Sequence, residues 1–258
     1  MAGRTQGDER GLLSRVSRVL GVFSEDEDVL PAARIAERTG LSRSTVYRLL
    51  GDLVAEGLLL RTESGYTIGT RLWELGELSP LSVRLRERSL PYLQELYEAT
   101  GENVHLAVLD GDDDPASAEA LYVARLTGPT SIPTMSRMGG RHPLHTTGVG
   151  KALLMTKDDA WLARFVANGL ERETLYSVTD AATLRQEIVE ARRRGFATTY
   201  QEMILGGASI GVPIPRVDGL PQAAVGITAH INRMQAPRLG ALLVRTAADI
   251  AKALTARY

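Results

Sequence analysis

Residues 31–50 read PAARIAERTGLSRSTVYRLL, and this stretch decides how the N-terminal part of the chain folds. Pro31 suits the first turn of a helix, where its missing amide would have no partner anyway, and Gly40 suits the left-handed position that ends one. Ser42 is placed to cap a following helix. Within that helix Val46, Leu49, Leu50 and Leu53 recur at i, i+3, i+4 and i+7, which predicts one buried stripe, while Arg43, Ser44, Tyr47 and Arg48 point elsewhere. The expected arrangement from Pro31 to Ala55 is helix, four-residue turn, helix. Upstream, Val16, Val19, Leu20 and Phe23 form a similar stripe, ended by the acidic run Glu25 to Asp28. Downstream, residues 58–61, a turn at Thr62 to Gly65 and Tyr66 to Ile68 predict a two-stranded hairpin. Three short helices and a hairpin make a winged helix-turn-helix, whose second motif helix enters the major groove of DNA.

Beyond the wing, Trp73, Leu75, Leu78 and Leu81 predict a helical linker, followed by a helix from Leu85 to Thr100 that stops at Gly101. The expected division is 1–70 for the winged domain, 71–82 for the linker and 83–258 for a second domain. In that domain strands are predicted over 104–109, 121–126, 132–138, 196–201, 209–214 and 223–229. Helices are predicted near 146–155, 159–168, 181–194 and 237–256. Interspersed strands and helices make the fold class α+β. The whole chain has 258 residues, 44% hydrophobic and 24% charged, enough apolar side chain for packed cores. There is no run of about 18 apolar residues and no signal-peptide core, so a cytoplasmic protein without a membrane partner is expected. Cysteine is absent, which excludes disulfide scaffolds, thiolate nucleophiles and zinc ribbons.

Groove geometry assigns candidate DNA contacts to Arg43, Ser44, Thr45, Tyr47 and Arg48 on the helix, and to Arg61 and Ser64 on the wing. Charge alone does not find this surface. Residues 1–69 carry nine arginines and ten acids, a net of −1, which becomes +3 once the acidic run 25–28 is set aside. Any amphipathic helix also has a polar outer face, so a protein partner for this domain is the competing reading. The segment 31–50, with the wing ending YTIG at 66–69, closely resembles the IclR family of bacterial transcription regulators. RMGGRHPLHTTGVGKALL over 137–154 resembles that family's effector-domain signature, and Gly195 to Ala197, Glu202, Gly206 and Ile210 to Pro213 follow its later pattern. The resemblance runs from Arg15 onward. It implies a C-terminal GAF-like antiparallel sheet flanked by helices, binding a small organic or aromatic acid, in a homodimer or homotetramer that reads a pseudo-palindromic operator. Carried over by motif position, the implied effector-binding residues are Gly148, Val149, Thr199, Tyr200, Ser209 and Gly226. Many family members have a polar side chain where this chain has Gly226. Helix one and the linker around Trp73 would supply the dimer contact.

The residues themselves add a second argument. Thr146 to Gly150, directly before a helical run, would offer free amides to a carboxylate, with Gly148 to Gly150 as the anion site. Leu121, Met135 and Val225 are the expected apolar walls. Gly150-Lys151 is not a phosphate loop, because His145 and Ala152 stand where that motif needs glycine and a hydroxyl residue. His142 and His145 are three apart, yet nothing fixes a third ligand, so no metal and no cofactor are expected. Gly207 to Gly211 matches the letters of a serine-hydrolase elbow, leaving a hydrolase built on Ser209 as an alternative function. Pro213 and Pro215 oppose it by forbidding the helix that should present the nucleophile.

Overall fold

The computed structural model describes residues 11–24, 27–128, 131–133 and 136–256. The chain divides into two compact units, Met1–Ser79 and Pro80–Tyr258.

In the first unit, α1 (Leu12–Leu20), α2 (Ala32–Thr39) and α3 (Arg43–Ala55) precede a hairpin of β1 (Leu59–Arg61) and β2 (Tyr66–Ile68), followed by α4 (Thr70–Glu77). The helix expected to stand as a separate linker thus falls in this unit. Val19, Ile35, Val46, Leu49, Leu50, Leu53 and Leu59 are its buried core. The turn between α2 and α3 is three residues, Gly40 to Ser42, one fewer than expected. Gly40 has φ +65° and its amide closes on Ala36 O at 3.0 Å; Ser42 Oγ then accepts the Thr45 amide, which starts α3 at Arg43. Leu30 and Tyr66 exchange both backbone hydrogen bonds at 2.9 Å, so the wing is anchored to the segment before α2. A Cβ on Gly65 would fall 2.4 Å from Leu30 O, which makes glycine necessary there.

In the second unit a π-helical turn (Leu81–Arg86) leads into α5 (Glu87–Thr100), where one continuous helix from Leu85 is expected. Then follow β3 (Asn103–Asp110), β4 (Glu119–Leu126), β5 (Arg141–Pro143), α6 (Gly148–Leu154), α7 (Asp159–Phe165), α8 (Ala181–Arg194), β6 (Ala197–Tyr200), β7 (Gly207–Pro213), β8 (Ala223–His230) and α9 (Ala236–Thr255). The strands form one antiparallel sheet in the order β5-β4-β3-β8-β7-β6. The strand predicted over 132–138 is absent among its described residues. Pro133 lacks the amide a ladder needs, and the partner of β4 is instead the stretch beyond the Gly139-Gly140 turn. That turn adds two bonds of its own, Gly139 N–H to Tyr122 O at 2.8 Å and Tyr122 N–H to Gly140 O at 2.9 Å.

Strand alternation gives the sheet two unlike faces. Val104, Leu106, Ile210, Val212, Val225 and Ile227 pack with α5 and α9 residues such as Leu93, Leu243 and Ile250. Burial of side chains this size contributes roughly 1.5–3 kcal/mol each. The opposite face is small: Ala107, Ala120 and Ala224 are buried there beneath Val149, Leu153 and Ile188 of α6 and α8. Glycine lets α6 lie directly on it. A Cβ on Gly211 would sit 2.2 Å from Gly148 O, and one on Gly226 would sit 2.7 Å from Val149 Cγ1.

Candidate functional site

Two sites emerge, one in each unit. On the first, Arg43, Ser44, Tyr47 and Arg48 are all exposed on one face of α3, opposite the buried stripe. Arg61 and Ser64 are exposed on the wing. Thr45 is half-buried and its hydroxyl lies 2.8 Å from Ser42 Oγ, so it serves the cap of α3 more directly than it faces outward. Arg48 stands 3.9 Å from Asp52, an exposed pair too loose to hold the guanidinium.

On the second unit, a cavity of about 50 Å³ opens on the small face of the sheet where α6 does not cover it. Each of the six strands contributes to its lining: His142 from β5, Tyr122 from β4, His105 from β3, Thr228 from β8, Gly207, Ala208 and Ser209 from β7 and Thr199 from β6. Only a curled sheet brings residues of both edge strands to one hollow. Thr147, Met203, Ile204, Ser136 and Glu202 complete the wall. His105 and His142 meet the Tyr122 ring edge-on, at 5.2 and 4.9 Å between centroids, making a continuous aromatic side.

Burial fixes the protonation of this wall. His105 donates to or accepts from Ser136 Oγ at 2.9 Å, and burial pushes its pKa down to about 3, helped by the Arg125 and His142 charges. Burial likewise lowers His142 and lifts the Tyr122 phenol far above its ordinary range, the latter opposed by a hydrogen bond to Thr147. All three are therefore neutral near pH 7. Glu202 is the one charged lining residue, and both its oxygens take the Lys151 ammonium at 2.8 Å. Lys151 is buried and also reaches Glu187 at 2.5 Å. Burial raises the Glu202 carboxyl above the usual range, with Lys151 pulling it back.

Several expected effector residues lie elsewhere. The anion site at Gly148 to Gly150 is closed: the Gly148 amide donates to Ser209 Oγ at 2.9 Å and the Gly150 amide to Thr147 Oγ1 at 3.1 Å. Those glycines are there for packing, since a Cβ on Gly148 would fall 2.8 Å from Ile210 N. Val149 covers the space beside Gly226 that would otherwise be open to a ligand. Leu121 and Val225 belong to the opposite face, packed with the α5 and α9 side. Tyr200 is exposed and borders a separate recess with Lys151 and Glu187. Met135 lies outside the described residues. Thr199 and Ser209 do line the cavity, with their hydroxyls 2.6 Å apart. His105, Tyr122, His142 and Thr228 were not anticipated; the available signal was a polar residue at an inward position of an otherwise apolar strand. Among the described residues there is no cluster of three metal-ligating side chains, and no helix is long and apolar enough to cross a membrane.

Ser209 sits within strand β7, not on a strand-to-helix turn, and its oxygen is engaged by an amide and a threonine. Among the described residues those are its hydrogen-bond partners, and neither is a base. That geometry agrees with what the chain is similar to. Residues 12–63 match the IclR helix-turn-helix domain, and residues 81–255 match the C-terminal domain of bacterial IclR transcriptional regulators. The HTH-type transcriptional regulator XynR of Escherichia coli is 29% identical over 230 residues, covering 86% of this chain and 87% of XynR. The Pca regulon regulatory protein of Pseudomonas putida is 30% identical, covering 86% and 75%. Among solved structures, an IclR homolog from Microbacterium hydrocarbonoxydans complexed with 4-hydroxybenzoate has a TM-score of 0.87 at 29% identity, covering 96% of this chain and all of that one. The two matched domains in this order, over a winged motif and a curled sheet, place the chain in the IclR family of transcription regulators, which are not enzymes.

Proposed function

We propose that this chain is a ligand-responsive regulator in which α3 enters the major groove of a pseudo-palindromic operator and a small aromatic acid, or a derivative of one, in the sheet cavity modulates that binding. The exposed face of Arg43, Ser44, Tyr47 and Arg48, flanked by Arg61 on the wing, carries the DNA reading. The 4-hydroxybenzoate in the Microbacterium relative and the neutral aromatic wall of the cavity support the ligand class. A pseudo-palindrome needs two copies, and Leu12 and Leu13 on α1 with Trp73 and Leu75 on α4 and Leu78 just after it are exposed apolar groups suited to a second copy of this chain. A cytoplasmic setting follows from a DNA partner.

The test is titration of Arg43→Ala against operator and random duplex at two salt concentrations. A lost bidentate base contact lowers operator affinity by about 1–3 kcal/mol and relaxes specificity; a lost phosphate contact weakens both duplexes equally and reduces the salt slope by about one. Unchanged affinity for both removes Arg43 from the interface and undermines the proposed docking.

A further inference from the structure

His142 Nε2 is buried beside the cavity without a hydrogen-bond partner, among the described residues. Leaving a buried polar nitrogen unpaired is costly, and such groups are uncommon in folded proteins. This one lines a hollow whose other polar end is already defined. At that end Ser209 Oγ accepts the Gly148 amide, and the Ser209–Thr199 bond uses one of the two hydroxyl protons. The second proton remains to donate to an oxygen of a guest. His142 stands on β5 and Thr199 on β6, the two edge strands of the sheet, so the two residues border the hollow from opposite edges. Between them run the ring of Tyr122 and the apolar Met203 and Ile204. Of the cations around the hollow, Lys151 is committed to Glu202 and Glu187 and Arg125 donates to Ser136 O, while the Arg137 charge acts on His142.

Resting on the effector reading above, we propose that His142 is the specificity-determining anchor of this cavity, taking through Nε2 a hydroxyl or amino group para to the acid group that the Thr199–Ser209 pair receives. The guest is thus an aromatic acid with polar groups at both ends. His142 is neutral, so it can offer either a donor or an acceptor by choice of tautomer. Cavities of roughly 150 Å³ hold benzene. The hollow here, about 50 Å³, must widen on binding, and the flexible Met203 is the side chain suited to move aside.

The experiment compares benzoate, 2-hydroxybenzoate and 4-hydroxybenzoate by isothermal titration and thermal shift on the full chain, in wild type and His142→Phe. Phenylalanine keeps the edge-on packing with Tyr122 and removes the nitrogen. Wild type is expected to bind 4-hydroxybenzoate about tenfold tighter than the other two, the size of one satisfied buried hydrogen bond. His142→Phe should bind all three alike. A preference that persists in His142→Phe, or no preference in wild type, overturns the role of His142 and leaves the cavity reading intact. No binding of any acid to wild type overturns both. If the variant folds poorly, the ring nitrogens of ¹⁵N-histidine-labelled wild type decide: the His142 Nε2 resonance should move with 4-hydroxybenzoate and not with benzoate, and equal movement with both refutes the anchor.

Discussion

Gly211→Ala is the sharpest probe of how the second unit is assembled. A methyl on Gly211 falls 2.2 Å from Gly148 O, 2.4 Å from Gly148 C and 2.7 Å from Val149 N. All three are backbone atoms, so no side chain can swing away, and an ordinary contact requires more than 1 Å of extra separation. The start of α6 must lift from the sheet. Overpacking costs about 1–3 kcal/mol where neighbours yield, and the upper end applies where they are backbone. Lifting α6 also parts the Gly148 amide from Ser209 Oγ, now 2.9 Å away, a further loss of about 1 kcal/mol. The expected total, about 3–4 kcal/mol, is a large fraction of the roughly 5–15 kcal/mol that holds a domain. Urea titration followed by circular dichroism should show the transition of the second unit moved down and that of the first unchanged. Gly51→Ala is the control, because its Cβ meets nothing within 4 Å and its helical site should gain up to about 1 kcal/mol in the first unit. A Gly211→Ala protein whose second transition lies within about 0.5 kcal/mol of wild type would refute the close-approach argument.

Two further outcomes follow from buried charge. His105 has its pKa pushed down to about 3, whereas an unfolded histidine titrates near 6.5. Between those values the unfolded chain takes a proton that the folded one refuses, so stability conferred above pH 6.5 is lost on acidification, by about 2 kcal/mol at pH 5. Denaturation at pH 7 and 5 should show that slope in wild type and a shallower one in His105→Gln; identical slopes would remove His105 as the cause. Lys151→Met leaves the buried Glu202 carboxylate without its ammonium, and should cost about 3–5 kcal/mol at pH 7. The loss should shrink as Glu202 is protonated at lower pH, and Lys151→Met with Glu202→Gln should recover most of it. A Lys151→Met protein as stable as wild type at pH 7 would show that the pair is not needed.

The sequence by itself determined the first unit almost to the residue, because its signals are local. A cap at Ser42, a left-handed glycine at Gly40 and the stripe Val46, Leu49, Leu50, Leu53 each act within a few residues, and exposure of Arg43, Ser44, Tyr47 and Arg48 follows from that stripe. With Gly40 closing α2 and Ser42 capping α3 at Arg43, the turn holds three residues, not four. In the second unit most elements were legible from alternation and glycine stops, apart from the strand that Pro133 displaced to β5. Of the cavity only Thr199 and Ser209 were legible. Its strand residues span His105 to Thr228 and become neighbours only through the strand order, which inserts β8 between β3 and β7 and curls both edges toward one hollow. Gly148 and Gly150 looked like room for an anion because sequence shows a missing side chain but not what fills its place. The tertiary structure decided that: Ser209 and Thr147 take those amides, and the open space lies instead among the inward hydroxyls and rings of the sheet.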